Sequence, residues 1–295
     1  MTVCVAAICR DGKSLVLISD RMIGVGYAEG EPEIKKNVRL HDRWWALFAG
    51  DDISPVFDIL DEAKTSLTGK EANVEDVIEA VTKAYQNKRA KDAEALYLAT
   101  RNWTRETFRE EAGKLIPENI YREIDLKLEQ HEFSDLEILV GGFDQSGKAH
   151  IFAIMSALRG IAKRCDIPGF HAIGSGSTGA IYMMYNRKLS PKTPAREAFY
   201  YALEAKYFGE QASGVGPSTD MYIVKPDGSL TVLDDEKTIE KKLIPICQRL
   251  EPRKIDKNAR KVLNELPELE EFEKIEEPKK SSKSPSDSSE TAPDL

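Results

Sequence analysis

Two rhythms of apolar and polar residues run along this chain. β-Branched and aliphatic runs at 3–9 and 14–18 flank Arg10-Asp11-Gly12-Lys13, whose Asp-Gly pair is a strong tight-turn signal, so the chain opens with a hairpin. An irregular, Gly-rich stretch follows at 24–32, and 36–40 with 44–49 then read as a second strand pair around the polar turn His41-Asp42-Arg43. Gly50-Asp51-Asp52 closes that pair. Ser54, read as an N-cap, and Pro55, at the first helical position, open a helix through about residue 67. A second helix starts near Asn73, where Val74, Val77, Ile78, Ala80, Val81 and Ala84 recur at helical spacing.

From 86 to 132 the helical rhythm continues, but charge is heavy and apolar residues are only intermittently spaced; 88–132 reads as an inserted helical projection whose charged run is most simply a solvated face, with a partner-docking surface as the alternative. Strands return at 136–140 and 150–155 around Asp144-Gln145-Ser146-Gly147, and at 170–173. Helices are predicted at 180–187, after Ser175-Gly176-Ser177, and from about 194 to 208. A last hairpin joins 221–224 to 230–233 across Pro226-Asp227-Gly228. One domain is expected over 1–245 and a helical segment over 246–266. Residues 267–295, rich in Glu, Lys, Ser and Pro, lack the apolar surface to offset the entropy of ordering and are expected to be disordered.

Composition narrows the function classes. At 295 residues, with 41% hydrophobic and 31% charged, the chain has ample core for a globular domain. It has no run near the roughly 18 apolar residues of a membrane helix and no secretory signal at its start, so a cytoplasmic, non-membrane protein is expected. A net charge of −8 argues against a general nucleic-acid binder. Cys4, Cys9, Cys165 and Cys247 lack metal-type pairing, and Cys4 and Cys9 share one apolar strand, where small buried thiols are the simpler reading. His41, His131, His150 and His171 are scattered without metal-ligand spacing.

The candidate chemistry begins at Thr2. Loss of Met1 would place a free α-amine, of pKa about 7.7–8.0, beside a threonine hydroxyl: a weak nucleophile with its own base. Further along stand Ser19-Asp20-Arg21, Lys36 four residues before Leu40, Ala46-Leu47-Phe48-Ala49-Gly50-Asp51, Ile173-Gly174-Ser175-Gly176-Ser177 and Glu210-Gln211-Ala212-Ser213-Gly214. With Thr2, these motifs in this order resemble the proteasome β-type N-terminal-nucleophile (Ntn) hydrolases, and bacterial HslV-type threonine peptidases in particular, over residues 2 to about 235 apart from the insert.

That resemblance implies an α+β fold, a four-layer αββα sandwich of two antiparallel sheets flanked by helices. It implies a threonine-type endopeptidase in which Thr2 attacks the peptide carbonyl and its amine takes the proton. Lys36, with Lys35 as the alternative, would keep the amine neutral, and Asp20 would hold the lysine. Ser175 and Ser213 would bond the amine and a bridging water, and the Gly50 amide would receive the oxyanion. Glu210 stands where the family pattern has aspartate, so its role is open; Asp51 and Asp52 replace expected small residues and are expected to turn away or pair with cations. No metal or organic cofactor is implied. The implied partners are a peptide or unfolded-protein substrate, further copies of the chain in a ring, and a ring-shaped ATPase unfoldase. Two other readings stay open: an Ntn amidase acting on a small amide, and a catalytically silent ring subunit that keeps Met1.

Two other motifs fail on chemistry. Gly142 to Lys148 nearly spells a phosphate-binding loop, but Ala149 stands where Ser or Thr is required and a strand, not a helix, is expected next. Ser175 and Ser213 lack the flanking glycines of a nucleophile elbow.

Overall fold

The computed structural model describes residues 2–25, 28–30, 35–212, 215–233, 239–247 and 257–266. The fold is mixed α+β, with two five-stranded antiparallel sheets and helices around them. Strands β1 (Cys4–Cys9) and β2 (Ser14–Asp20) form the opening hairpin; Ile23–Val25 (β3) and Ala28–Gly30 (β4) make a small ribbon that the Gly-rich composition concealed. Asn37–His41 (β5) and Trp44–Ala49 (β6) pair next, followed by α1 (Ser54–Leu67) and α2 (Val74–Tyr97). Short turns Arg105–Thr107 (α3) and Gly113–Leu115 (α4) lead to α5 (Glu118–Gln130). Then come β7 (Glu137–Phe143), β8 (Ala149–Met155), β9 (Ala162–Arg164), β10 (Phe170–Ile173), α6 (Ser177–Asn186), α7 (Ala195–Gly209), β11 (Thr219–Val224), β12 (Leu230–Val232), α8 (Ile244–Cys247) and α9 (Lys257–Leu263). The predicted disordered tail at 267–295 lies outside the described residues.

The first sheet runs β10-β1-β2-β11-β12 and the second β5-β6-β7-β8-β9. Side chains alternate across each strand, and in β1, β2, β6, β7, β8, β10 and β11 both faces are buried. Val3, Val5 and Ala7 pack outward with α6 and α7, while Cys4, Ala6 and Ile8 meet Leu47, Leu139 and Ile151 between the sheets. The far face of the second sheet, with Trp44, Ala46, Phe48 and Ile138, packs on Val56, Ile59, Val77 and Val81 of α1 and α2. Double burial explains why the strands read as unbroken apolar runs: neither face has water to select polar residues. Residues of α8 and α9, among them Cys247 and Leu263, belong to the same outer core as α7. All four cysteines are buried, and burial pushes their thiols up, Cys9 to about 12 and Cys165 to about 11.

Two expectations are corrected. Ser54 is not the N-cap of α1: it is the first helical residue, and its amide and hydroxyl both donate to the Asp52 carboxylate, the amide at 2.9 Å. The insert is more than a solvated face. Its scattered apolar residues close into a core of their own, with Ala93, Leu98, Phe108, Ala112, Ile124 and Leu128 buried and Tyr121 stacked on Phe108 at 4.7 Å. Helical periodicity missed this core because the end of α2, the irregular turns over 98–112 and α5 each supply only a few of its buried residues.

Gly142 to Ala149 closes the β7–β8 hairpin, with Phe143 opposite Ala149. The turn is occupied by Asp144, and His150 bridges Asp144 (3.2 Å) and Asp166 (2.7 Å) while stacking on Trp44, so a phosphate would meet carboxylates there. The Asp166 bond is the main cause of a raised His150 pKa, with burial opposing it. Burial also works against Asp144 and Asp166, yet bonds from Ser146, the Lys148 amide and His150 hold the first below the ordinary carboxylate range, and bonds from His150 and the Ile151 amide the second. A raised histidine stabilises the fold fully below its ordinary pKa of about 6.5 and loses that contribution as pH rises through the folded value. The depressed carboxylates contribute above about 3.9 and lose it as pH falls. Urea midpoints measured from about pH 6 to about pH 9 are therefore expected to decline in the parent protein and to decline less in His150→Gln; equal slopes would exclude the clamp.

Candidate active site

Strand register gathers the candidate residues at one edge of the two sheets. Cys4 pairs with Ile173 and with Ser19, so one step further brings Val3 to Asp20 and two steps bring Thr2 to Ser175. Asp20 ends β2, and its carboxylate accepts bonds from the amides of Val3 (3.2 Å), Met22 (3.2 Å) and Gly216 (3.1 Å). In the second sheet Asn37 pairs with Leu47 and Ala49 with Glu137, which puts Lys36 before β5, Gly50 after β6 and Leu136 before β7 at the matching edge.

Lys36 crosses between these groups. Its Nζ donates to Asp20 Oδ1 at 2.9 Å and to Thr2 Oγ1, and the three residues are buried: Thr2 is 4% exposed, Lys36 1% and Asp20 0%. The alternative, Lys35, is exposed. An ammonium donating to a hydroxyl oxygen stabilises charge that develops there on deprotonation, and it disfavours a second positive charge on a nearby amine.

Ser175 lies across the register from Thr2. The Thr2 N–H donates to Ser175 Oγ (3.2 Å), Ser175 Oγ donates to the Thr2 carbonyl (3.4 Å), and the Gly176 amide donates to that carbonyl (3.2 Å). The cap position of α6 falls on Gly176, so Ser175 does not cap the helix. Gly174 adopts φ +88°, and a Cβ there would stand 2.3 Å from the Thr2 carbonyl oxygen; only glycine lets this turn close on Thr2.

A cleft of about 200 Å³ opens beside Thr2, lined also by Gly50, Asp51, Asp135, Glu137, Gly174 and Ser175. Asp51 departs from expectation: it faces the cleft and accepts from Ser134 Oγ at 3.2 Å rather than pairing with a cation. Asp52 turns to Ser54, whose hydroxyl and amide bonds hold its carboxyl below the ordinary range. Glu210 does not reach Thr2 by any hydrogen bond. It accepts from Lys206 Nζ (2.8 Å), one helical turn back; that fully buried lysine also donates to the carbonyls of Gly216 (2.9 Å) and Pro217 (3.1 Å). Because the Gly216 amide bonds Asp20, Glu210 and Lys206 support the loop that orients Asp20 from behind. Ser213 lies outside the described residues.

Sequence reasoning missed Glu137 and Asp135. Glu137 Oε2 accepts the Gly174 amide, tying β7 of one sheet to the turn that holds Thr2 in the other. Burial pushes its carboxyl up, and the Gly174 bond opposes that rise. A signal was present: Glu137 is in phase with Leu139 and Phe143, which face the other sheet, so strand alternation alone aims its carboxylate between the sheets. Asp135 precedes the strand with φ +47° and carries no comparable signal.

The sequence matches no protein-family model and no curated protein.

Proposed function

We propose that this protein is an Ntn hydrolase of the proteasome β kind: a threonine peptidase whose nucleophile is Thr2 after removal of Met1. The observation that carries the reading is the buried Asp20–Lys36–Thr2 chain, in which one lysine donates to both a carboxylate and the candidate nucleophile. Sheets facing each other with helices outside are consistent with the αββα sandwich of that class, and Ser175 stands where a free Thr2 amine would find a partner.

In this mechanism Thr2 Oγ1 attacks the substrate carbonyl carbon and its proton passes to the Thr2 amine, which Lys36 keeps neutral. The oxygen that becomes anionic is received by the Gly50 amide at the cleft wall. The amine returns its proton to the departing nitrogen, the C–N bond breaks, and an ester on Thr2 remains. Water then attacks the ester with the same amine as base, releasing the acid and restoring the hydroxyl. Glu137, Asp51 and Asp135 oppose negative charge in the cleft, so peptides with lysine or arginine beside the scissile bond are the first substrates to test. Assembly into a ring fed by an ATPase unfoldase belongs to the same proposal.

Intact mass and covalent labelling test the reading. The purified protein is expected to lack Met1 and, after treatment with a peptide β-lactone, to gain one acyl group that fragment mapping locates on Thr2. Retention of Met1 would leave the Thr2 nitrogen a non-basic amide about 3.8 Å from the chain's amine and overturn the proposal in favour of a silent scaffold. Acylation of Thr2 with turnover of small amides but not peptides would restrict the protein to amidase chemistry.

A further inference from the structure

The insert has a place in the site. A groove of about 480 Å³ runs between the far part of α2, the start of α1 and the chain entering β7; Pro55, Leu96 and Phe133 give it apolar surface, and Asp52, Glu132 and Ser134 polar surface. It adjoins the cleft at Thr2. Asp51 and Asp135 line the cleft, their immediate chain neighbours Asp52 and Ser134 line the groove, and Ser134 Oγ donates to Asp51 Oδ2 at 3.2 Å across the seam. Leu96 is 59% exposed on an α2 turn whose next residues, Tyr97 and Leu98, pack into the insert's own core, so the insert fixes an apolar side chain beside the groove while leaving it uncovered.

We propose that this groove is an accessory subsite that holds the flank of an extended peptide substrate leaving the cleft, with an apolar side chain of the peptide against Leu96 and Phe133. The inference rests on the peptidase reading and explains why the chain carries an insert there. Size supports it: the cleft alone, at about 200 Å³, is below the roughly 300–1,000 Å³ of ordinary ligand sites, and with the groove it falls inside that range. Charge decides the kind of flank. Glu132 already receives Arg89 (2.7 Å) and Asp92 receives Lys88 (2.9 Å), whereas among the described residues Asp52 accepts hydrogen bonds from Ser54 and feels Lys88 only at longer range, so a basic residue next to the apolar one has a carboxylate to meet. The backbone of such a flank is extended, advancing about 3.4 Å per residue, so the groove is engaged only by peptides longer than those that fill the cleft.

Binding is measured by fluorescence anisotropy on the full chain carrying Thr2→Ala, which separates peptide docking from hydrolysis. Labelled peptides share one core and are extended stepwise at either end with a leucine and a lysine. Extension at one end is expected to tighten binding about tenfold or more, the worth of burying one leucine-sized side chain. Adding Leu96→Asp is expected to bring the long-to-short affinity ratio close to one without a change in melting temperature, since Leu96 is exposed. No gain at either end, or a gain that survives Leu96→Asp, overturns the proposal. It is equally overturned if Leu96→Asp leaves the peptide ratio alone and instead lowers the molecular mass in solution, which would make a second copy of the chain the occupant. Length-dependent binding in a protein whose Thr2 is never acylated would keep the groove as a peptide site and remove the peptidase reading.

Discussion

Thr2→Ala is expected to fold as the parent does and to lose peptide turnover by about 10⁴-fold or more, the scale on which an enzyme loses rate when its only nucleophile is removed. The substitution removes a hydroxyl and a methyl from a residue that is 4% exposed, and it leaves the Asp20–Lys36 pair at 2.9 Å in place. One lost hydrogen bond to a charged group costs about 1.5–3 kcal/mol at most, so the melting temperature should fall only modestly while turnover collapses. Thr2→Ser keeps the attacking oxygen and should retain measurable turnover, which separates loss of the nucleophile from loss of packing. Fluorogenic peptide assays with matched melting curves make the comparison. Hydrolysis that persists undiminished in Thr2→Ala would end the nucleophile assignment.

The second large effect is on stability. Asp20 is fully buried and collects three backbone amides and the Lys36 ammonium; its removal strands that ammonium in a site where Lys36 is 1% exposed. Breaking one side of a buried ion pair costs about 3–5 kcal/mol, and each stranded amide adds to it, against a typical total of about 5–15 kcal/mol. Asp20→Ala is therefore expected to be unfolded or barely folded in urea titrations. Adding Lys36→Met removes the stranded charge and should recover a kcal/mol or more, though not turnover, because nothing then stabilises charge on Thr2 Oγ1. If Asp20→Ala unfolds within about 1 kcal/mol of the parent, Lys36 carries no buried charge that needs a partner and the proposed site loses its foundation.

How much was legible in advance depended on range. The β1–β2 hairpin, the start of α2 at Asn73 and the Pro194 start of α7 are local events, each decided by a few neighbouring residues, and the pattern marked all three; the capping box of Asn73 and Asp76 that closes the α2 start is seen only in the structure. The three-residue strands β3, β4 and β9 escaped because so few residues carry no period; β12, equally short, was found through the Pro226-Asp227-Gly228 turn beside it. At the site, Thr2 was named from the chemistry of a hydroxyl beside a freed amine, whereas the roles of Asp20, Lys36 and Ser175 came through a resemblance, not through any pattern in the chain. The role of Glu210 stayed open because its partner, Lys206, is one helical turn back and looks like any solvated pair until α7 is known to be buried on nearly every side.

Taken alone, the order of residues determined where strands, turns and long helices begin, because backbone preferences and apolar periodicity act over a few positions. Only the tertiary structure decided which carboxylates face the cleft, why the insert has a core, and that Lys36 reaches Thr2 across 34 residues of chain. The cleft follows from pairing register and from the packing of one sheet on another, where a single step of register in β7 would turn Glu137 to the opposite face, and the insert's core follows from helices that meet only in the folded chain.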